Sequence, residues 1–219
     1  MSQFVVHSIP GSPFGRAVLA TLEEKGADYR FAPVPPASLR APEHLRRHPF
    51  GRVPVLEHDG FELYESQAIL RYLDRALPSP ALTPQDARAA ARMDQLLNIG
   101  DWYLFQGVCN VIGFQRVVAP RVLGLAADEA AIAAALPKAR AVFAELSRLL
   151  GAQRFFVGGE PTLADLQLAS HADFMAGTPE WSMLGAPHAN LVAWLERMNA
   201  RPSMRATTPE RVAALAAAA

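Results

Sequence analysis

Cysteine is almost absent from this 219-residue chain, because Cys109 is the only one. A single thiol excludes an internal disulfide, a cysteine-based zinc site and a CxxC redox pair. Long apolar runs are also missing, since residues 130–136 and 212–219 fall far short of the roughly 20 residues that span a bilayer. We therefore expect no transmembrane helix, and any thiol chemistry needs a thiol from another molecule.

An excess of charge of either sign is missing as well, since 21 basic side chains balance 21 acidic ones. This balance disfavours nucleic acid as a partner, and nothing suggests an acidic disordered tail. The first residues lack the basic and then apolar pattern of a secretory signal, so a cytoplasmic location is expected. With 51% hydrophobic residues, the chain has enough apolar side chains for two compact units.

The first part of the chain changes period several times, which is typical of an α/β domain. Strands are predicted at residues 4–6, 29–34, 53–57 and 61–64, and helices at 14–25, 42–48 and 68–73. Asp59-Gly60 predicts a hairpin turn between the last two strands. The proline-rich residues 77–84 then read as a linker. We thus predict an α/β domain at residues 1–77.

The rest of the chain, residues 85–219, has helical periods almost throughout and is predicted to be an all-helical domain. Apolar residues recur at helical spacing through residues 93–111, 132–150 and 191–198. Pro137 is expected to kink or restart the second of these helices. Thr162 and Asp165 form an acidic version of a capping box at the start of another helix.

Three short features in the first domain have both a structural and a chemical interpretation. Ser12 before Pro13 is a helix N-cap followed by the helical position that proline tolerates best, but its hydroxyl also faces the end of the helix where anions bind. Val53-Pro54 is either an ordinary strand edge, which the sequence alone favours, or a cis peptide that turns backbone outward. Glu65-Ser66 either caps a helix or holds the amino-acid end of a ligand.

In this order, these features resemble the cytosolic glutathione transferases, with a thioredoxin-like N-terminal domain and an all-helical C-terminal domain. The resemblance is strongest to the serine-dependent phi-type members and their bacterial relatives. It rests on SPFGR at 12–16, LEEKG at 22–26, PEHL at 42–45, PFGRVPVL at 49–56, LYESQAI at 63–69 and GGEPTLAD at 158–165. It covers the whole chain, and its motifs are most specific in the first 76 residues.

The resemblance implies that the chain conjugates glutathione, as co-substrate, to small hydrophobic electrophiles. Ser12 is the implied catalytic residue, donating its hydroxyl to the sulfur, because a free hydroxyl is too weak a base to take the proton. Val53, ahead of a cis-Pro54, is expected to pair with the cysteinyl backbone. Glu65 and Ser66 are expected to hold the γ-glutamyl end.

The chain departs from the phi-type pattern where those members contact the glycyl carboxylate. Arg52 stands where they have glutamine, and Leu39 and Arg40 stand where they have histidine and lysine. Arg40 and Arg52 supply positive charge instead, and arginine can hold a carboxylate through two parallel hydrogen bonds. We therefore include both arginines among the expected glutathione-binding residues.

The electrophile is expected between the domains, and the alternative for the aromatic residues there is plain core packing. The candidates for this site are Ile9, Pro10, Phe14, Leu39, Trp102, Tyr103, Phe105, Gln106 and Asn110. Phe50 is interpreted either as the aromatic key that many family members insert into a partner subunit, which implies a homodimer, or as local core.

Neither the lone thiol nor the histidines suggest a further reactive centre. Cys109 is interpreted as a small buried hydrophobe. His44 and His48 have helical spacing but lack further ligands, so no metal is expected.

Two other functions stay open at this level. The same site can support glutathione-dependent isomerisation, dehalogenation or peroxide reduction. Alternatively, the chain is a non-catalytic binding or regulatory protein with the same fold, because fold alone does not fix function. The intact Ser12, Val53-Pro54 and Glu65-Ser66 favour an enzyme.

Overall fold

The computed structural model describes residues 4–217, which divide into two compact units. The first unit runs to Thr83 and also contains the residues from Ala200 onward, and the second is Pro84–Asn199. The predicted division at 77–84 assigns the residues after 200 to the helical domain. In the structure, however, these last residues pack within the first unit.

A four-stranded mixed sheet forms the centre of the first unit. Its strands are β1 (Phe4–Ser8), β2 (Tyr29–Pro33), β3 (Val55–His58) and β4 (Phe61–Tyr64), in the spatial order β2-β1-β3-β4. β1 runs parallel to β2 and antiparallel to β3, and every residue of β1 is buried. The arrangement confirms the thioredoxin-like fold that the resemblance implies.

The β3–β4 hairpin turns at Asp59-Gly60, as predicted. Both residues have positive φ, 50° for Asp59 and 83° for Gly60, as a two-residue turn of type I′ requires. The predicted start of β3 at Val53 is wrong, because the strand begins at Val55. Pro54 has no N–H group, so it cannot donate a ladder hydrogen bond.

Five helices complete the first unit, and three of them are α1 (Pro13–Glu24), α2 (Pro42–Arg47) and α3 (Ser66–Ala76). The other two, α10 (Pro202–Ala206) and α11 (Pro209–Ala217), pack against α1 and β2 respectively. A short 3-10 turn at Pro36–Ser38 precedes α2. The Arg201 guanidinium donates two hydrogen bonds to the Glu24 carboxylate, of 2.6 and 2.8 Å, and so ties the last residues to α1.

The second unit is helical, as predicted. α4 (Ala87–Ile99) continues into a π-helical segment, Gly100–Val118, and the following helices are α5 (Ala119–Val122), α6 (Glu129–Leu150), α7 (Leu163–Ala176), α8 (Trp181–Leu184) and α9 (Ala189–Asn199). None of the helices in the described part of the chain combines the length and apolarity needed to cross a membrane.

Two predictions about helix boundaries in the second unit have different outcomes. Of the two outcomes expected at Pro137, the restart is wrong, because α6 runs through this residue, and the kink stays a prediction. The face of α6 that carries Ile132, Val142 and Phe143 is buried, and α6 packs along the π-helical segment. The predicted capping box at Thr162 and Asp165 is confirmed.

Candidate active site

The strand register brings the three features singled out in the sequence to one end of the sheet. His7 pairs with Val55, and Val55 pairs with Tyr64, so these residues lie side by side on three neighbouring strands. The chain leaves β1 towards Ser12, enters β3 from Val53-Pro54 and leaves β4 into Glu65-Ser66 at this same end. The structure therefore gathers segments that are up to 54 residues apart in sequence.

Ser12 is the N-cap residue of α1. It has extended backbone angles, and its hydroxyl oxygen accepts a hydrogen bond from the Gly15 N–H at 3.2 Å. The turn before it is closed by a bond from the Ser12 N–H to the Ile9 carbonyl at 3.0 Å, and Gly11 enters it with φ +85°. The hydroxyl is thus fixed at the positive end of the α1 dipole.

The capping role leaves the chemical role open to Ser12. A hydroxyl has one donor hydrogen and two acceptor lone pairs, and the Gly15 N–H uses one lone pair only. The O–H group can still donate to an anion in front of the helix. The structural and chemical interpretations of Ser12 are therefore compatible.

The peptide bond between Val53 and Pro54 is cis. The strand-edge interpretation that the sequence favours is wrong here, and Val53 lies just outside the described ladder of β3. Pro54 is buried and Val53 is half-buried. The backbone of Val53 thus lies just before β3, at the end of the sheet where β1 also ends.

Glu65 and Ser66 begin α3 in an unusual geometry. Glu65 has φ +71°, a left-handed value that side-chain-bearing residues seldom adopt and that, outside turns, is often found at functional sites. Its side chain is exposed and makes no capping hydrogen bond, whereas Ser66 is buried as the first residue of the helix. Helix capping therefore does not explain the Glu65 carboxylate.

Arg40 and Arg52 lie on two loops that touch each other. A Cβ atom added to Gly51, whose φ is +62°, would come 2.8 Å from the Leu39 carbonyl oxygen and 3.2 Å from Arg40 Nη1. Glycine is thus required both by the backbone conformation and by the space. Arg40 and Arg52 are both exposed, so these loops present two guanidinium groups to solvent.

His44 supports this loop, a role that sequence reasoning missed. Its Nε2 donates to the Arg52 carbonyl at 2.8 Å from the buried face of α2. In the sequence, the helical spacing of His44 and His48 gives only a weak metal signal. No spacing rule in the sequence connects a histidine to the carbonyl of a loop eight residues later.

Phe50 is exposed over 61% of its surface, so it is not local core. It contacts His48 and Tyr64 edge-on, with ring centroids 6.1 and 6.3 Å away. His48 itself is buried. Burial lowers its pKa, and this effect is larger than the opposing effect of the Glu65 charge, which raises the pKa. Phe50 is thus an exposed apolar side chain whose ring packs against the rings of His48 and Tyr64.

The electrophile-site candidates are found in both units. Ile9, Pro10, Phe14 and Leu39 of the first unit are half-buried. In the π-helical segment of the second unit, Phe105 and Gln106 are half-buried, whereas Asn110 is exposed. Trp102 and Tyr103 are 67% and 55% exposed, so core packing does not explain either of them.

Cys109 is buried, as interpreted, and its Sγ lies 3.7 Å from the His171 carbonyl. Burial raises the pKa of this thiol well above its ordinary value, so it is not a ready nucleophile. Among residues 4–217, no three histidine, cysteine or acidic side chains group as metal ligands would.

Comparison with known proteins identifies the family to which this fold belongs. The model of the glutathione S-transferase N-terminal domain matches residues 6–81, and that of the C-terminal domain matches residues 108–202. A probable glutathione S-transferase GSTF2 of rice (Oryza sativa subsp. japonica) is 32% identical over 188 residues, which are 84% of this chain and 86% of the relative. Glutathione S-transferase 1 of Zea mays is 32% identical over 197 residues, 89% and 88% of the two chains.

Solved structures of glutathione S-transferases are also similar to this chain. A glutathione S-transferase III in apo form superimposes with a TM-score of 0.84 at 29% identity and covers 97% of both chains. A glutathione S-transferase I bound with lactoylglutathione gives 0.82 at 29%, covering 97% of this chain and 99% of that one. A glutathione S-transferase from Rhodospirillum rubrum F11 gives 0.81 at 27%, covering 94% and 91%.

The chain therefore belongs to the glutathione S-transferase family. It is an enzyme of that family, a glutathione transferase.

Proposed function

We propose that the enzyme is a serine-dependent, phi-like transferase that joins the glutathione thiolate to small hydrophobic electrophiles. The observation that carries the proposal is the position of Ser12 as N-cap of α1, at the sheet end where Val53-Pro54 and Glu65-Ser66 also meet. Its relatives are named glutathione S-transferases, and one related structure holds lactoylglutathione, which supports glutathione as the co-substrate.

Each part of the tripeptide has a chemically matched partner at this sheet end. The Val53 backbone, ahead of cis-Pro54, pairs with the cysteinyl unit as an added strand would. The exposed Glu65 carboxylate takes the γ-glutamyl ammonium, and Ser66 with the α3 N-terminus takes its carboxylate. Arg40 and Arg52 take the glycyl carboxylate.

Ser12 acts by making the thiolate more stable than the thiol. A free thiol with a pKa of about 8.5 is only a few per cent ionised at neutral pH, and the thiolate is the nucleophile. Lowering the pKa by about two units requires roughly 2.7 kcal/mol of selective anion stabilisation. One hydroxyl donor together with the N-terminus of α1 is of the right size to supply this.

Residues 1–77 serve as the glutathione domain. The candidates for binding the electrophile within residues 85–219 are Trp102, Tyr103, Phe105, Gln106 and Asn110, and those within the first domain are Ile9, Pro10, Phe14 and Leu39. The enzyme acts in the cytoplasm in detoxification as a homodimer, and the exposed Phe50 is the apolar group offered to a second subunit.

The experiment separates the cap from the hydroxyl donor with two variants at one position. Ser12→Ala removes both functions. Ser12→Asp keeps a good N-cap but, when ionised, has no hydrogen to donate and repels a thiolate. We expect both variants to lose roughly 10- to 100-fold in kcat with a chlorinated nitrobenzene, while only Ser12→Ala loses about 1 kcal/mol of stability.

Retention on a glutathione column should change little in either variant, because the tripeptide keeps its other contacts. Unchanged turnover in Ser12→Asp would remove the hydroxyl from the mechanism. A wild-type protein that is neither retained on the column nor active would instead indicate a binding protein. A panel of isomerisable, halogenated and peroxide substrates then distinguishes conjugation from the other glutathione-dependent reactions.

A further inference from the structure

Gly15 lies in the first turn of α1, where a glycine has no conformational reason to be. Its φ is not in the left-handed region, and glycine is a poorer helix former than alanine at an ordinary helical position. The reason lies in the space around it, because a Cβ atom on Gly15 would come 2.2 Å from the Ser8 hydroxyl oxygen and 3.0 Å from Ser8 Cβ. The first turn of α1 therefore rests directly on the last residue of β1.

Ser8 cannot easily give way. It is completely buried, its backbone pairs with Pro33 in β2, and its carbonyl accepts from the Val34 N–H at 2.9 Å. Its hydroxyl has no hydrogen-bond partner within the described part of the chain. A buried polar group without a partner is costly, so a merely structural position favours alanine instead of serine.

The same turn carries the proposed catalytic hydroxyl. The Gly15 N–H is the group that donates to Ser12 Oγ at 3.2 Å, so the residue that touches Ser8 also fixes the orientation of the Ser12 side chain. A side chain at position 15 would have to push this turn away from β1. Ser12 and the amides of the helix N-terminus would move with it.

We propose that Ser8 and Gly15 are a positioning pair that sets how closely the first turn of α1 approaches the sheet and thereby where Ser12 Oγ meets the glutathione sulfur. This inference rests on the proposed function, because it concerns the efficiency of the Ser12 donor. Ser8 is a positioning residue only, since complete burial keeps it from the substrate.

The test adds a methyl group at position 15 and then removes side-chain atoms at position 8. Gly15→Ala should raise the thiol pKa of enzyme-bound glutathione, which is measured from the thiolate absorbance as a function of pH. The variant should also lower kcat/KM roughly tenfold at pH 6.5. Ser8→Gly combined with Gly15→Ala removes both clashing atoms and should restore the wild-type titration. Ser8→Ala with Gly15→Ala should restore it only partly, because Cβ of residue 8 remains 3.0 Å from the new methyl group.

Gly159→Ala is the matched control, because no atom lies within 4 Å of the Cβ it would add, and it should change neither titration nor turnover. A wild-type titration in Gly15→Ala would overturn the proposal. Equal defects in Gly15→Ala and in the double variant with Ser8→Gly would overturn the part assigned to Ser8. If Gly15→Ala does not fold, a folded double variant with the wild-type titration still supports the pair, and a folded one with a raised thiol pKa overturns it.

Ser12→Ala, titrated in parallel, separates this inference from the proposed function. If that variant leaves the thiol pKa unchanged, the role of Ser12 fails and the positioning role fails with it. If it raises the pKa while Gly15→Ala does not, only the positioning pair is refuted.

Discussion

Asp165 is a buried helix cap whose removal should destabilise the second unit far more than the removal of an ordinary cap. Its carboxylate accepts four hydrogen bonds, from the Phe156 N–H at 3.0 Å, the Trp194 indole N–H at 3.0 Å, and the Thr162 N–H and hydroxyl at 2.9 Å each. The side chain thus joins the start of α7 to the preceding loop and to α9. The variant that tests this role is Asp165→Ala.

The expected magnitude follows from the donors that the variant leaves behind. All four donors belong to buried residues, so none of them finds water without rearrangement. At about 1 kcal/mol for each buried donor left without an acceptor, the loss is roughly 3 to 5 kcal/mol. Asp165→Asn should lie between alanine and wild type, because the amide keeps one acceptor oxygen but turns an NH2 group towards two of the four donors.

Urea unfolding followed by tryptophan fluorescence is the suitable assay. All three tryptophans, Trp102, Trp181 and Trp194, belong to the second unit, so the signal reports on that unit alone. The matched controls are Asp86→Ala and Asp128→Ala. Each removes an exposed N-cap with one hydrogen bond, of 2.9 and 3.0 Å, and should cost about 1 kcal/mol.

The comparison with the two controls shows whether a buried cap stabilises the unit more than an exposed cap does. If Asp165→Ala lowers the free energy of unfolding by no more than Asp86→Ala does, then burial does not multiply the value of the cap. The hydrogen bonds from α9 and from the loop would then add nothing to the stability of the unit. If the free energy of unfolding falls by several kcal/mol while its dependence on urea concentration is unchanged, the four buried donors account for the stability that Asp165 provides.

Two further predictions concern buried ionisable groups. Burial lowers the pKa of His171 to about 3, so between pH 6.5 and 3 only the unfolded state binds this proton. The free energy of unfolding, followed by fluorescence, should therefore fall by about 2 kcal/mol from pH 7 to pH 5. His171→Leu should remove this fall, and an equal dependence on pH in the variant would contradict the role of His171. In the first unit, Lys25 Nζ contacts the Asp74 carboxylate at 2.6 Å with both side chains buried. Lys25→Met should cost roughly 3 to 5 kcal/mol in circular-dichroism melts, because it leaves a buried carboxylate without its cation. Adding Asp74→Leu should recover only part of this loss, because Asp74 Oδ1 also accepts a hydrogen bond from the Leu82 N–H at 2.9 Å. Equal losses in the two variants would contradict the unneutralised charge as the cause.

The order of elements in the first unit could be predicted because its signals are local. Asp59-Gly60 fixes a turn whose backbone angles few other residue pairs accept, and Gly26, with φ +62°, ends α1 where the apolar period of the helix stops. The capping box at Thr162 is likewise a pattern of neighbours in sequence. Such features depend on a few adjacent residues, so the amino-acid pattern alone is sufficient.

The features that could not be predicted depend on contacts between distant residues. The hydrogen bonds from Arg201 and Ser203 to Glu24 hold α10 against the first unit, although the helical period of this region resembles that of the second unit. α6 passes through Pro137 because its buried face is held by neighbouring helices, which local propensity does not describe. The outward Phe50 and the bond from His44 to Arg52 are of the same kind.

For the candidate site, the capping and chemical interpretations are not alternatives. A cap residue is held at the one place where a helix offers positive potential, and the bond that holds it consumes an acceptor of the hydroxyl and not its hydrogen. Local structure thus holds the hydroxyl in place and leaves its hydrogen available for the proposed role as a donor. Glu65 illustrates the opposite case, because helix capping explains neither its left-handed φ nor its carboxylate. Ser12 is therefore the residue where sequence reasoning cannot separate stability from function, and only substitutions that keep the cap while removing the hydrogen can do so.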